Sequence, residues 1–218
     1  MKIYVVGSTK NSFLPLNSIR EKFFIDEKHN GDNIDSLNPW YCELTAMYYL
    51  WKNCNDDIVG LEHYRRYFVN EKNELLSEND IRNSLTDYDI IAHMSNDIGS
   101  TVYHATRWCN STHVSMEEVA KRILFCLRDN YPEHKEFMVT MMKLRSHWQG
   151  NMLICKKQLF DTSCSWLFDF FLNKFIDFKP SIVPLRTFGY MSELFLFPFW
   201  AHINTIKIKN CNRLDRLR

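Results

Sequence analysis

At 218 residues the chain is long enough for one domain whose core needs no disulfide to hold it. With 45% hydrophobic and 15% aromatic residues it is not a disordered segment. Its 27 basic and 26 acidic side chains nearly cancel, to +1, so no net field draws it onto nucleic acid or anionic lipid, and any recognition of phosphate has to be local.

Residues 2–6, "KIYVV", read as a first strand closed by Gly7 and Ser8. Residues 8–30 are weakly patterned. A loop then leads into a helix with Asn38 as predicted N-cap and Pro39 as first helical residue, followed by Tyr41, Leu44, Tyr48 and Trp51 at helical spacing. "DIVGLEHYRRYF" (57–68) is predicted as one strand, apolar on both faces at Ile58, Val59 and Leu61 as in a covered parallel sheet. Strict alternation would set His63, Arg65 and Tyr67 on one face and Glu62, Tyr64 and Arg66 on the other.

Ser77-x-x-Asp80 opens a short helix, and a strand follows at 88–92. Ser115-x-x-Glu118 caps a helix within 113–134, with Val119, Ile123 and Leu127 four apart and Pro132 as its stop. "GNMLIC" (150–155) reads as a strand, 158–175 as a helix, 188–202 as a helix bent or ended at Pro198, and 204–211 as a last strand before a basic tail. This alternation predicts an α/β domain with a largely parallel central sheet flanked by helices, without repeat or linker.

Seven cysteines, at 42, 54, 109, 126, 155, 164 and 211, form no CxxC or Cys/His zinc spacing and fit reduced thiols in a cytoplasm. The first residues lack a signal-peptide pattern, and no stretch reaches the ~20 apolar residues of a membrane span. "SELFLFPFWAH" (192–202) is expected in the core rather than at a membrane surface.

The end of the 57–68 strand gathers imidazole, phenol and guanidinium. Ligands of open α/β sheets bind beyond the carboxyl ends of strands, so Arg65 and Arg66 are candidates for an anion, and neighbouring tyrosines for stacking. A charged strand end paired with surface acids is the competing reading. "GDNIDSLNP" (31–39) sets Asp32 and Asn33 before a helix start, either as an anion-facing loop or as an Asx-rich turn. Glu43 would complement the helix dipole or hold an arginine from the next strand. Glu193, a lone carboxylate among apolar residues, would have a raised pKa if buried, which suits a general base. Asn151 offers a carboxamide to a hydroxyl, or satisfies a strand edge. His93, His104, His113, His147 and His202 are dispersed, and GxSxG, P-loop and GxGxxG motifs are absent. The acids of "NDD" (55–57) and "DYD" (87–89) sit at strand starts, the wrong end for a site.

Taken in order, "GDNIDSLNPWYCELTAMYYLWKN", "IVGLEHYRRYF", "DYDIIA", "GNMLICKKQLFDTSCSWLFDFF" and "FGYMSELFLFPFW" resemble the DUF4422 family of bacterial glycosyltransferases from capsule, exopolysaccharide and O-antigen gene clusters, over about residues 29–202. The resemblance implies sugar transfer from a nucleotide-sugar donor onto a growing surface glycan, with galactofuranose transfer known for some members. It further implies a GT-A-like single domain over 1–218, with a nucleotide-binding half over about 1–110 and an acceptor-side half over about 111–210. Where the general pattern has an Asp-x-Asp metal motif, this chain has "EHYRR". Arg65, Arg66 and His63 would then neutralise the leaving diphosphate, so that no cofactor is required, with Mn²⁺ or Mg²⁺ as the ions to test.

On this reading the catalytic residues are Glu193, His63 and Arg65. The donor-binding residues are Asp32, Asn33, Tyr41, Glu43, Tyr64, Arg66 and Asn151. The partners are the donor and a lipid-linked glycan acceptor, not nucleic acid. The location is cytoplasmic, with peripheral contact at the inner face of the plasma membrane through 195–200 or the basic tail. The alternative is a non-catalytic nucleotide-sugar or glycan-binding protein of the same fold.

Overall fold

The structure is a computed structural model and describes residues 1–95, 101, 114–175 and 179–215. Eight strands among these form one mixed sheet: β1 (Lys2–Gly7), β2 (Arg20–Phe24), β3 (Ile58–His63), β4 (Arg66–Val69), β5 (Ile90–Met94), β6 (Trp148–Lys156), β7 (Ile208–Asn210) and β8 (Asn212–Asp215). The order along the sheet is β2-β1-β3-β6-β5-β7, with β4 and β8 added as a ribbon beside β3. The pairs β1–β2, β1–β3 and β5–β7 are parallel; β6 runs antiparallel to both β3 and β5. The expected α/β sheet is present, and its central strand is reversed.

β2 escaped the sequence pattern because "REKFF" alternates poorly and three of its five residues stay at least partly exposed. Besides its ladder with β1 and the buried Phe23, it is fastened by a buried ion pair. Arg20 Nε and Nη2 donate to the two carboxylate oxygens of Glu62, each at 2.8 Å, with both side chains fully buried. The predicted long strand over 57–68 is a hairpin. β3 stops at His63, Tyr64 and Arg65 make the turn, and Arg66 pairs back on His63. The alternation drawn through this stretch therefore fails after His63.

Helices cover both faces. The larger apolar cluster includes Leu44, Met47, Leu61, Leu153, Phe160, Phe168, Phe195 and Trp200; the smaller, on the other face, includes Ile3, Phe68, Ile81, Met152 and Ile154. Asn38 is not a cap. It is the first residue of α1 (Asn38–Tyr41), preceded by Leu37, and Cys42 at φ 52° breaks the chain before α2 (Glu43–Asn53). α3 (Glu78–Asp87) has the full Ser77/Asp80 capping box, and Ser115 accepts the Glu118 N–H at the start of α4 (Met116–Asn130). α5 (Lys135–Lys143) and α6 (Lys157–Asp169) follow.

The predicted helix over 188–202 is three consecutive pieces: α7 (Thr187–Met191), a π turn over Ser192–Leu196, and α8 (Phe197–Ile203), with Pro198 directly after the π turn, whose last bond runs from the Phe197 N–H to Ser192 O. Phe195, Leu196, Phe197, Phe199 and Trp200 are buried, which removes the 195–200 run as a membrane contact. No helix among the described residues is long and apolar enough to cross a membrane. Cys109, His104, His113 and the last three tail residues lie outside the described residues.

Because β6 is reversed, its amino end shares one end of the sheet with the carboxyl ends of β1 and β3. The β3–β6 ladder is paired up to Leu61 and Leu153, two residues short of His63 and Asn151. The opposite end carries the acidic pairs. There Asp57 binds Arg82 at 2.9 Å, and Asp89 accepts the Lys207 N–H at 2.8 Å.

Candidate active site

Three chain segments meet where that ladder ends. The first is the β3 terminus. His63 Nδ1 accepts from the Arg65 backbone N–H (3.3 Å), which directs Nε2 to Glu43 Oε1 at 3.3 Å. Glu43 is buried at the start of α2. Burial pushes its carboxyl up, yet the His63 hydrogen bond and charge, a backbone N–H and Arg186 outweigh this and leave its pKa below the ordinary value.

The second segment is the start of β6. Gly150 and Asn151 both have positive φ, 76° and 52°, a kink that turns the Gly150 N–H out of the ladder. It donates to Glu193 Oε2 at 2.8 Å. Asn151 is fully buried; its Nδ2 reaches Glu193 Oε1 (3.3 Å) and Gly189 O (3.2 Å), and its Oδ1 accepts from Ser192 Oγ (2.5 Å).

The third segment is the π turn carrying Glu193, an element often found at functional positions. Burial is the main cause that pushes the Glu193 carboxyl up to about 8. The Gly150 N–H opposes it, the charge of Glu43 adds to it, and Arg66 and Arg186 oppose it. Two carboxyl groups near each other are thus driven apart, Glu43 towards the anion and Glu193 towards the acid, the arrangement by which one site holds a fixed charge beside a proton acceptor.

The structure therefore brings together His63, Glu43, Asn151 and Glu193, with Arg66 close enough to act on Glu193 by charge. Tyr64 and Arg65 flank them on the hairpin turn. The Tyr64 ring leans on His63 (4.4 Å) and Phe13 (6.3 Å), and the Arg65 guanidinium lies 5.1 Å from the Tyr64 ring centre with its Nε buried and unpartnered. Three expected donor-binding residues are not brought there. Tyr41 is a core residue packed on Phe188 and Phe171, so neither ring face is open to a donor. Asp32 accepts from Tyr48 Oη and, through its backbone, from Asn53, along the far half of α2. Asn33 closes its own loop onto His29 O, Gly31 O and the Asp35 N–H, so "GDNIDSLNP" is the Asx-rich turn.

One residue of the site had no signal in the sequence. Arg186, in the loop before α7, is held at φ 67° by its N–H to Pro39 O (2.8 Å), stands 5.4 Å from the Tyr190 ring, and lowers both Glu43 and Glu193 by its charge. Only the break at Cys42, which seats α1 against α7, places it there. Among the described residues no group of three or more His, Cys, Asp or Glu is placed to hold a metal ion.

Asn151 positions Glu193 rather than facing solvent. Asn151→Ala should destabilise the fold by about 1–3 kcal/mol, since the buried Glu193 Oε1 loses the Asn151 amide donor and a non-Asn side chain is forced into positive φ. It should also move the midpoint of any Glu193-dependent pH profile upwards, because a donor to the carboxylate is gone. Urea denaturation and a pH–rate series check the two effects separately.

The sequence model of a family described as "Domain of unknown function (DUF4422)" matches residues 3–205. Among solved structures the chain is similar to the apo structure of the bifunctional glycosyltransferase WbbM, with a TM-score of 0.76 at 21% identity over 100% of this chain and 45% of that one. The likeness is one of fold, and the chain spans less than half the length of that protein. No curated protein sequence matches.

Proposed function

The chain belongs to the DUF4422 family, and from that premise we propose that it is a glycosyltransferase, moving a sugar from a nucleotide-sugar donor onto a hydroxyl of a growing bacterial surface glycan. The fold shared with WbbM supports this, and the observation that carries it is Glu193: a carboxyl group with a pKa near 8, oriented by the Gly150 N–H and Asn151, at the end of the sheet where α/β folds bind ligands. In the proposed step the acceptor oxygen bonds to the anomeric carbon, its proton passes to Glu193, and the bond to the diphosphate breaks with its electron pair on the leaving oxygen. Arg65 and Arg66 supply fixed positive charge near that group, the role a divalent cation plays elsewhere, while His63, its two ring nitrogens taken up by the Arg65 N–H and Glu43, braces the turn that carries them. Glu43 holds His63 in place. A hexosyl donor, galactofuranosyl included, and a lipid-linked acceptor are the classes proposed.

The test is a thermal-shift panel of nucleotides and nucleotide sugars with Mn²⁺, with Mg²⁺ and with EDTA, followed by an assay for released nucleoside diphosphate. The reading expects one nucleotide sugar to raise Tm by mass action and to release diphosphate, in EDTA as well. Stabilisation with no release would make the chain a nucleotide-sugar-binding protein. No stabilisation and no release would remove the transferase reading. Activity abolished by EDTA would remove the metal-free form of it.

A further inference from the structure

β8 lies beyond the stretch that the family model matches, yet it delivers charged side chains to Arg66, whose charge acts on Glu193. It pairs antiparallel with β4 in the register Arg66↔Asp215 and Phe68↔Arg213, which puts Arg66, Arg213 and Asp215 on one side of a two-stranded ribbon. The Asp215 carboxylate sits between the two guanidinium groups: Oδ2 is 2.6 Å from Arg213 Nη2, and Oδ1 is 3.7 Å from Arg66 Nε.

The arginines have donors to spare. Arg213 is 12% exposed, gives Nη1 to Gln149 Oε1, and keeps a buried Nε with no partner. Arg66 makes only the long ion pair; its guanidinium has no hydrogen bond among the described residues. Two arginines offer far more N–H groups than one carboxylate can accept, and in fork geometry suited to tetrahedral oxyanions. The pair also lies against the catalytic kink, since Arg66 Nη1 is 3.4 Å from the point where a side chain on Gly150 would begin. The left-handed φ of 76° at Gly150 favours glycine there, and the same residue's N–H holds Glu193. His147, beside them with Nδ1 3.1 Å from Ser95 Oγ, is held neutral: burial first, then the charges of Arg66 and Arg213, push its pKa down to about 4. The two arginines and the Asp215 carboxylate thus carry the charge at this corner, with Glu193 on the Gly150 N–H close enough to feel Arg66.

We propose that Arg66 and Arg213 form an oxyanion cradle that takes the phosphate oxygens of a nucleoside diphosphate, and that Asp215 occupies it in the free protein and yields it to the ligand. The nature of the anion rests on the transferase reading; the cradle itself rests on the ribbon geometry. A purely structural Arg213, fastening β8 to Gln149, is the competing role, and the two differ in what Asp215 does. If Asp215 competes with the ligand, neutralising it strengthens binding. If it only helps to brace the ribbon, neutralising it weakens binding or leaves it unchanged.

The experiment is isothermal titration of the full chain in EDTA, first with inorganic pyrophosphate and then with nucleoside diphosphates, on wild type, Arg66→Gln, Arg213→Gln, Arg213→Lys and Asp215→Asn. Expected are a loss of at least tenfold in affinity for either Gln variant, and a gain of severalfold for Asp215→Asn. Should Arg213→Gln fail to fold, Arg213→Lys keeps the charge without the fork and should bind severalfold more weakly at unchanged Tm. Wild type that binds neither pyrophosphate nor any nucleoside diphosphate overturns the cradle. So does Arg213→Lys or Arg213→Gln with affinity within twofold of wild type, or Asp215→Asn with no gain. Pyrophosphate binding in the expected pattern with no sugar transfer sustains the cradle and removes the transferase. Transfer that is indifferent to Arg213 does the reverse.

Discussion

Glu193→Gln is expected to lower turnover by about 10²–10⁴-fold, the range a positioned general base contributes, with donor affinity changed little. The wild-type rate should rise about tenfold per pH unit up to a midpoint near 8, where the carboxyl group is half ionised, and level off above it. The Gln variant should lose that limb. Stability should move the opposite way. A carboxyl group whose pKa is raised in the folded state binds more protons there than in the unfolded chain between about pH 4.5 and 8, so wild-type stability falls as pH rises through that window. The Gln variant, with no proton to lose, should lose less stability than wild type between pH 5 and pH 9. A rate that is unchanged in the variant would remove Glu193 as base, and parallel pH–stability curves would remove its buried titration.

Arg20→Met should cost the fold about 3–5 kcal/mol, because it leaves the Glu62 carboxylate fully buried without its cation. That is a large part of the ~5–15 kcal/mol of an ordinary domain. The double variant Arg20→Met, Glu62→Gln should recover most of the loss. Glutamine is neutral and keeps an oxygen for the Phe68 N–H, which now donates to Glu62 Oε1 at 3.0 Å. Urea unfolding of both variants measures this. A single-variant cost under about 1 kcal/mol would mean that water reaches the pair.

These two carboxylates show what could be read from the chain and what could not. Glu193 stood out as the lone carboxylate in a largely apolar stretch, so a raised pKa followed on the condition of burial, and burial is what the structure supplies. Glu62 lies in a run of ionisable and aromatic residues that reads as one functional cluster. Its true partner is 42 positions away on a strand with no pattern of its own. The hairpin turn at Tyr64 and Arg65 was hidden for a related reason: it has neither Gly nor Pro, and pairing of β4 with β8 from the far end of the chain fixes it. The capping box at Ser77 was legible because it is complete within four residues. Arg186 reaches the site, and Arg213 the side of Arg66, through tertiary placement alone. The Asp32–Asn33 loop misled because a turn that satisfies itself uses the same residue types as one that waits for a ligand.

The reversed central strand also bears on how the chain is made. β6 lies between β3 and β5, yet it is synthesised more than fifty residues after β5 ends. Until residues 148–156 leave the ribosome, two apolar strands have an open edge each, and the nascent amino-terminal half has no way to close its own sheet. Chain arrest near residue 110 should therefore yield a protease-sensitive, chaperone-dependent species, arrest that exposes β6 and α6 a less sensitive one, with full resistance only once Phe195, Trp200 and strands β7 and β8 have joined. The residues that hold Glu193 in place are then also the point at which folding commits.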